Sequence, residues 1–536
     1  MVQQPTAGES AGPVVKGVIP TAKQAFADLF IWKQRVVITN EHGEETTEWR
    51  DPDPIKNPIS LMAQLSGKDW IFFLVGFCAW TADAFDFHAL SIQTKKLSLY
   101  YDTSKTAITT AITLTLLLRS VGAAMFGLAG DKWGRKWPMV FNMIILGVLQ
   151  IATIYSTTFN QFLAVRSLFG LFMGGVYGNA IAMALESCPS NARGLMSGIL
   201  QQGYSFGYVL AACANLGVGG STESWKTVFW IAAGISIAVG IVRIFFPESQ
   251  QFLEARAKGK QSASPGAFWQ DCKKMLLAEW KMCVYCCFLM TWFNYYSHTS
   301  QDSYTTFMLE QKEFDNKAAS RASILMKTGA CVGGTIIGYL SQFVGRRRAI
   351  CCSAFMSALL IPAWILPTTE GGLSASGFMI QFFIQGAWGV IPIHLNELSP
   401  PAFRSSFPGV TYQIGNMISS PSARKFPYVP LNPKKKKMLI CCTEIVNAVA
   451  EKTFVTLKNG DKVEAYGPVM GVATAIIALG IIFTTMFGPE KRGRAFEHAV
   501  AGVHNDELPQ HQKKDIETAS VEQVELEDKK KAKEEV

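Results

Sequence analysis

Charge is scarce in this chain. Asp, Glu, Lys and Arg supply 17% of its 536 residues, where a soluble domain carries about a quarter, so most of the chain is not built to meet water. The first 68 residues lack any apolar stretch behind a basic start; they are polar, contain prolines and mix both charge signs. That argues against a cleaved signal peptide and leaves the first apolar run to direct insertion. No phosphate-binding glycine loop, nucleophile constellation or metal-ligand spacing occurs, so neither an enzyme, a metal site nor a cofactor is expected. The twelve cysteines lie mostly inside apolar runs or in lone pairs such as Cys351 and Cys352, and they read as packing residues.

What the chain has instead is 49% hydrophobic residues gathered into long blocks. A bilayer span needs roughly 20 apolar residues, and twelve segments qualify. In the first set they are 70–90, 107–129, 138–155, 162–185, 198–216 and 228–246; in the second, 282–298, 324–343, 349–366, 377–394, 403–420 and 466–487. The eleventh is short and rich in Ser, Gly and Asn. An all-α membrane protein with twelve transmembrane helices is therefore expected. The net charge of +9 is not a nucleic-acid signal, because the basic residues gather in loops of one parity. Arg135 and Lys136 follow span 2, Arg193 follows span 4, residues 258–281 lie between spans 6 and 7, Arg346 to Arg348 follow span 8 and Arg404 follows span 10. An excess of Lys and Arg marks the cytoplasmic side, which places these loops and both tails there.

Two motifs recur at one offset. "GLAGDKWGRK" after span 2 is answered by "GYLSQFVGRR" after span 8, and "ESCPSNARG" after span 4 by "ELSPPAFRS" after span 10. Gly127 and Gly338, Glu186 and Glu397, and Arg193 and Arg404 each stand 211 positions apart. A six-span unit duplicated in one orientation places a substrate cavity between its copies, near the bilayer midplane. The expected organisation is a cytoplasmic tail over 1–68, six-helix bundles over 69–246 and 281–488, a cytoplasmic linker over 247–280 and a disordered tail over 489–536. Residues 421–465 form an atypical insertion, and the four lysines of "NPKKKKM" within it run against the charge rule.

"NYYSHTSQD" at 294–302 ends the seventh span with polar side chains. Asn294, Ser297 and Gln301 are spaced i, i+3 and i+7, and His298 with Asp302 are i and i+4, so most of them share one broad stripe. Lipid would leave that stripe unpaired, so it should face a cavity or the partner half. An intramembrane His with a carboxylate one turn away is a candidate proton site, the alternative being an ion pair that ties helices together. At the repeat offset Asp83 stands opposite Asn294 and Asp86 opposite Ser297. Asp86 or His88 is open to a share in proton transfer or to a structural role. A carboxylate ligand needs a cation, best of all a forked guanidinium. Arg119, about 18 Å from the cytoplasmic end of span 2 at 1.5 Å per residue, is the best anion anchor; a structural ion pair with Asp83 or Asp86 is the competing role. Lys327, nearer a span end and able to snorkel, ranks lower. Gln413 and Asn416 share a face of span 11, Gln413 matching Gln202 of span 5, and are open to holding ligand oxygens or neighbouring helices. Arg166 reads as a helix–helix or gating contact, and Phe206 either lines the path or packs.

The pattern after span 2, matched at Gly127, Asp131, Lys132, Gly134, Arg135 and Lys136, resembles a signature of the major facilitator superfamily, as Arg166, Gly170 and Gly174 resemble a second. Asp131 and the basic cluster can latch the cytoplasmic side and release on opening; Gln342 replaces the acid in the second copy, which puts a symmetric latch in doubt. Asn294, Ser297, His298, Ser300, Gln301, Asp302 and Thr306 complete a pattern that resembles the span 7 signature of the Jen family of fungal monocarboxylate/proton symporters, and the sequence over 389–416 is similar to the same family. The resemblance implies two pseudo-symmetric six-helix bundles in the plasma membrane. It implies a carrier of short monocarboxylates such as lactate, pyruvate or acetate, with the proton as coupling ion. Substrate contacts fall to Arg119, Asn294, Ser297, Ser300, Gln301, Gln413, Asn416 and Phe206, and proton coupling to His298, Asp302 and Asp86. Gating falls to Gly127, Asp131, Gly134, Arg135, Lys136, Arg166, Glu186, Arg193, Glu397 and Arg404. A dicarboxylate or sialate symporter and a non-transporting nutrient-sensing paralogue are the rival readings, and the tails offer regulatory contacts.

Overall fold

The computed structural model describes residues 10–13, 22, 25–31, 33–39, 45–52, 54–103, 105–218, 221, 223–249, 252–253, 265–301, 304–400, 403–419, 453–456 and 462–491. All twelve apolar segments are helical. Nine helices are long and apolar enough to cross a membrane among the described residues. The other three segments are shorter or broken. Span 5 is Arg193–Gln201 followed by Gly203–Gly217, span 9 is Arg346–Leu359 followed by Ile361–Ile365, and span 11 is Ser406–Ser419. The break in span 9 falls just before Pro362, which has no amide hydrogen for the preceding turn. The spans start where the chain supplies caps. Ser66 and Asp69 form a reciprocal capping box before Gly67–Ile92, Thr158 and Gln161 do so before Phe159–Met173, and Asp315 and Thr369 cap spans 8 and 10. Each box satisfies donors that a helix otherwise leaves open at its first turn.

Small residues set how the helices approach. Gly170 and Gly174 of span 4 lie on the backbone of span 2, where a Cβ would strike the carbonyl oxygens of Thr115 and Arg119. Gly329 and Gly333 of span 8 do the same against Phe378 and Phe382 of span 10. In a bilayer, where apolar contact alone drives little association, such small-residue stripes let backbones pack closely. The repeat shows in the turns: Gly134 and Gly345, 211 positions apart, both have positive φ, 95° and 104°. In each copy the helix that follows is capped by a glutamate from beyond the sixth or twelfth span, Glu248 accepting from the Lys136 amide at 2.9 Å and Glu490 from the Arg346 amide at 2.6 Å.

Outside the bundles, Ser10–Pro13, Gln34–Thr39 and Glu45–Arg50 form an antiparallel sheet with the last strand in the centre. The segment between its first two strands meets the second bundle: Arg348 donates to the carbonyls of Asp28 at 2.9 Å and Leu29 at 3.2 Å, Arg347 bonds the Ala25 carbonyl, and Phe26 stacks on Phe487. Further along, Leu61 and Leu65 are buried and Gln64 accepts from Asn191 of the first bundle. Of the 421–465 insertion, residues 421–452 and 457–461 lie outside the described residues; Phe454–Thr456 pairs antiparallel with Lys462–Glu464. The tail beyond residue 491 lies outside them too.

Candidate functional site

At the end of the molecule that carries the repeated motifs the two bundles are sewn together along two seams. In the first, span 2 meets the start of span 11. Gly127 lies so close that a Cβ would stand 2.5 Å from the Ser406 Cα. Asp131, with no side-chain exposure, accepts from the backbone amides of Ser405 and Ser406 at 2.9 Å each and from the Ser406 hydroxyl at 2.6 Å. A carboxylate at a helix N-terminus takes up open amides and meets the positive end of the helix dipole. Arg135 sits 3.9 Å from Asp131 and 2.9 Å from Glu186, and Arg404 of the other bundle adds its charge beside Glu186. The second seam puts span 8 against span 5: a Cβ on Gly338 would stand 2.6 Å from the Gly198 Cα. Gln342, where the acid would be, donates to the Ser190 carbonyl at 3.2 Å, and Arg346 pairs with Glu397 at 3.2 Å, as Arg135 does with Glu186. Gln342 thus also bridges the bundles, as a neutral donor in place of an anionic acceptor. Arg193 turns back to the Cys188 carbonyl at 3.0 Å. The Cys188 thiol, in the loop after span 4, is pushed up to about 12 by burial.

Above these seams lies a cavity lined from both bundles. Phe87, Leu116, Gln201 and Tyr204 come from the first; Asn294, Ser297, His298, Gln385, Trp388, Tyr412 and Asn416 come from the second. His298 reaches the Asn416 amide oxygen at 3.3 Å. Gln385 and Gln301 both donate to the Ser297 hydroxyl, at 3.4 and 3.2 Å, and Gln381 donates to the Ser300 hydroxyl at 2.9 Å. Aromatic rings close one side, Tyr412 stacking on Tyr177 at 4.1 Å and meeting Trp388 edge-on at 5.9 Å. Span 10 is opened beside this wall: next to Pro392 the Ser197 hydroxyl of span 5 inserts between the Gly389 carbonyl and the Ile393 amide, at 2.9 and 3.1 Å. A side chain placed in the ladder beside a proline is a site where a helix bends.

The cavity collects Asn294, Ser297, His298 and Asn416 from the sequence-predicted set. Ser300 and Gln301 stand in the layer behind Ser297. Gln413 is buried and accepts from Asn416 at 3.4 Å, while its backbone carbonyl takes the Ser120 hydroxyl of span 2 at 2.9 Å. Asp302, and the Thr306 side chain, lie outside the described residues. Arg119 is not among the lining residues: its guanidinium, 1% exposed, pairs with Asp83, 0% exposed, at 2.9 Å and lies over the Phe87 ring. The helical rotation that points span 2 toward span 1 at this depth makes it an ion pair rather than an open anion anchor. Asp86 is likewise inside the first bundle, accepting from Gln150 and Ser236 at 2.9 Å each, and Arg166 donates to the same Gln150 at 2.7 Å over the Phe169 ring. Phe206 is 45% exposed against Phe77, away from the cavity; Tyr204, two residues earlier, takes the lining place. Lys327 does not snorkel. It is 5% exposed, bonds the Gln301 amide oxygen and lies 4.8 Å from the centre of the Tyr208 ring. Neither the lining aromatics nor Gln201 and Gln385 were singled out from sequence; Gln202, next to Gln201, was, and it sits at the break in span 5.

Comparison with known proteins agrees with this architecture. The chain is 32% identical over 381 residues to a carboxylic acid transporter protein homologue of Saccharomyces cerevisiae, covering 68% of this chain and 62% of that one. The chain thus spans less than two thirds of that relative's length. It is 24% identical over 305 residues to the sialic acid transporter NanX of Escherichia coli, covering 56% and 73%. The structure of the proton:xylose symporter XylE bound to 6-bromo-6-deoxy-D-glucose superimposes with a TM-score of 0.60 at 14% identity, over 80% of this chain and 98% of that one, a likeness of fold. These relatives are transporters, not enzymes. A sequence profile described as Major Facilitator Superfamily matches residues 72–422, well over half of the chain, which therefore belongs to the major facilitator superfamily.

Proposed function

We propose that this carrier is a proton-coupled symporter of short monocarboxylates such as lactate, pyruvate or acetate, as the Jen-type signature on span 7 implies. One observation carries the reading. The imidazole of His298 faces a cavity between the bundles together with four amides, Gln201, Asn294, Gln385 and Asn416. An imidazole changes charge near working pH, and amides bond carboxylate and hydroxyl oxygens without fixing a charge of their own. With Asp302 four positions further along the sequence, His298 takes up a proton with the acid, and the loaded site crosses with less net charge than the anion alone carries. Alternating access follows from the two bundles rocking about the cavity, the cytoplasmic seams parting as the outer side closes. The carrier sits in the plasma membrane with both termini cytoplasmic, where the N-terminal segment that meets both bundles gives regulation a handle. Relatives named for a carboxylic acid and for sialic acid support an organic acid as cargo.

Uptake of labelled lactate into proteoliposomes tests the coupling. Wild-type protein should accumulate it only when the outside is more acidic, and His298→Ala should exchange lactate at equal pH yet ignore the gradient. Accumulation by the wild type that is indifferent to the gradient would sink the coupling. A competition panel with dicarboxylates and sialate separates this cargo from its rivals, the larger acids competing better if the sialate reading holds.

A further inference from the structure

The lining side chains are one imidazole, four amides, one hydroxyl and five apolar or aromatic groups. None of them carries a permanent positive charge, and Arg119 is engaged by Asp83. An anion held here still needs a cation in a low-dielectric surrounding, where an uncompensated charge is costly. A buried one stands next to the cavity. Lys327 on span 8 bonds the Gln301 amide oxygen, and the Gln301 nitrogen donates at 3.2 Å to Ser297, the hydroxyl of the lining. From the second bundle, Lys327 reaches over Tyr208 of the first.

Tyr208 is one turn outward of the lining Tyr204 on span 5, and between these rings sits His88, with ring centroids 4.9 Å from Tyr204 and 5.0 Å from Tyr208. His88 is 9% exposed and its Nε2 has no hydrogen-bond partner. Among the described residues, the charged groups acting on it are Lys327, Arg119 and His298. A buried imidazole nitrogen without a partner, beside a lysine contributed by the other bundle, is an arrangement that an anion completes: with the proton on Nε2, a carboxylate accepts from it and lies near the Lys327 ammonium.

We propose that Lys327 and His88 form the seat of the transported acid's carboxylate, one helical turn outward of His298, with the body of the acid lying in the cavity below. This rests on the organic-acid reading given above and adds to it the cation that reading lacks. Its consequence is mechanical. The two members of the seat belong to opposite bundles, so a carboxylate bound between them draws spans 1 and 8 together on the outer side, and the loaded carrier closes outward while the empty one does not.

Full-length protein in proteoliposomes tests this with lactate and its neutral isostere lactamide as competing probes. Wild type should favour lactate strongly. Lys327→Gln should raise KM for lactate at least tenfold and bring the preference for the acid over the amide down by a similar factor, Lys327→Arg should restore most of both, and His88→Gln should raise KM about threefold. The His88 variant keeps the test standing if Lys327→Gln does not fold. Folded Lys327→Gln and His88→Gln proteins that keep wild-type KM and acid preference, or lose only kcat, overturn the seat while the carrier reading stands. A wild type that carries no acid overturns the carrier reading and the seat with it.

Discussion

The Arg119–Asp83 pair makes the sharpest demand on the structure, because two roles for Arg119 predict opposite outcomes of one double substitution. Both side chains are at most 1% exposed and meet at 2.9 Å. Replacing Arg119 with Met leaves a buried carboxylate without its cation, a loss of about 3–5 kcal/mol for breaking a buried pair from one side. Asp83→Asn alone leaves the guanidinium in the same position and should cost a similar amount. In the double variant no charge remains to be compensated, and exchanging a buried pair for groups of similar volume is often close to neutral. What stays lost is the contact of the guanidinium with the Phe87 ring at 5.4 Å, about 1–2 kcal/mol. The cycle should therefore show a coupling of roughly 3 kcal/mol or more. Melting curves of the four purified proteins followed by size exclusion give the stabilities: the singles fall by several degrees and the double recovers most of it. Lactate uptake gives the function, and the double variant should transport with KM within threefold of wild type. A double variant that melts like wild type but has KM raised tenfold would refute the argument, since it would show that Arg119 holds the substrate and that the ion pair is incidental.

At the span 5–span 8 seam, Gly338→Ala forces backbone from backbone, because every near neighbour of the new methyl is main chain of Gly194 or Gly198; Cys188, whose thiol is buried and pushed up to about 12, should then react with maleimide at pH 8 several-fold faster than in the wild type. Because the raised value keeps the thiol protonated below about pH 12, an unchanged labelling rate would mean that the seam does not open. Gly345 has φ 104° and ψ 150°, a conformation that side chains beyond glycine scarcely adopt, so Gly345→Ala should destabilise by about 1–3 kcal/mol, whereas Gly371, with nothing near a new Cβ, should accept alanine with a melting temperature nearly unchanged. Arg348→Ala removes donors to the Asp28 and Leu29 carbonyls; limited proteolysis should then cut near residue 30 at least threefold faster, and equal cutting would show that these contacts do not hold the segment.

How far the molecule can be read from its sequence depends on which constraint wrote each residue. The 211-residue offset carried over to geometry because a duplicated backbone repeats its special positions: Gly134 and Gly345 both turn with positive φ, and Arg135–Glu186 recurs as Arg346–Glu397. The polar stripe of span 7 was visible because ionisable groups inside an apolar run have few alternatives to facing a cavity. Depth and rotation were not visible. Arg119 and Lys327 are both single cations in apolar helices, and counting residues from a span end ranked them in one order while the rotation of each helix gave the other: Arg119 turns to Asp83 and Lys327 turns to the gap between the bundles. Phe206 and Tyr204 exchange places for the same reason, since two positions along a helix move a side chain by about 200°. The break of span 5 at Gln202 has no glycine or proline at that residue to announce it.

The difference between the two seams bears on how the carrier turns over. A carrier that spends nearly all its time closed on one side transports slowly, so the free energy holding the two seams shut must lie within reach of what loading the site supplies. Asp131 makes three charge-assisted hydrogen bonds to span 11, at about 1.5–3 kcal/mol each when a charged group is involved. Two such seams would hold the bundles by more than the binding of a small acid could offset. The second copy has Gln342 in place of the acid and donates a neutral hydrogen bond across the seam, to Ser190, at about 0.5–1.5 kcal/mol. The departure of the second motif from the first therefore weakens the closed state on one side only. Closure stays specific through Asp131, while the span 5 side is held by neutral hydrogen bonds, that of Gln342 and those of Ser197 with span 10.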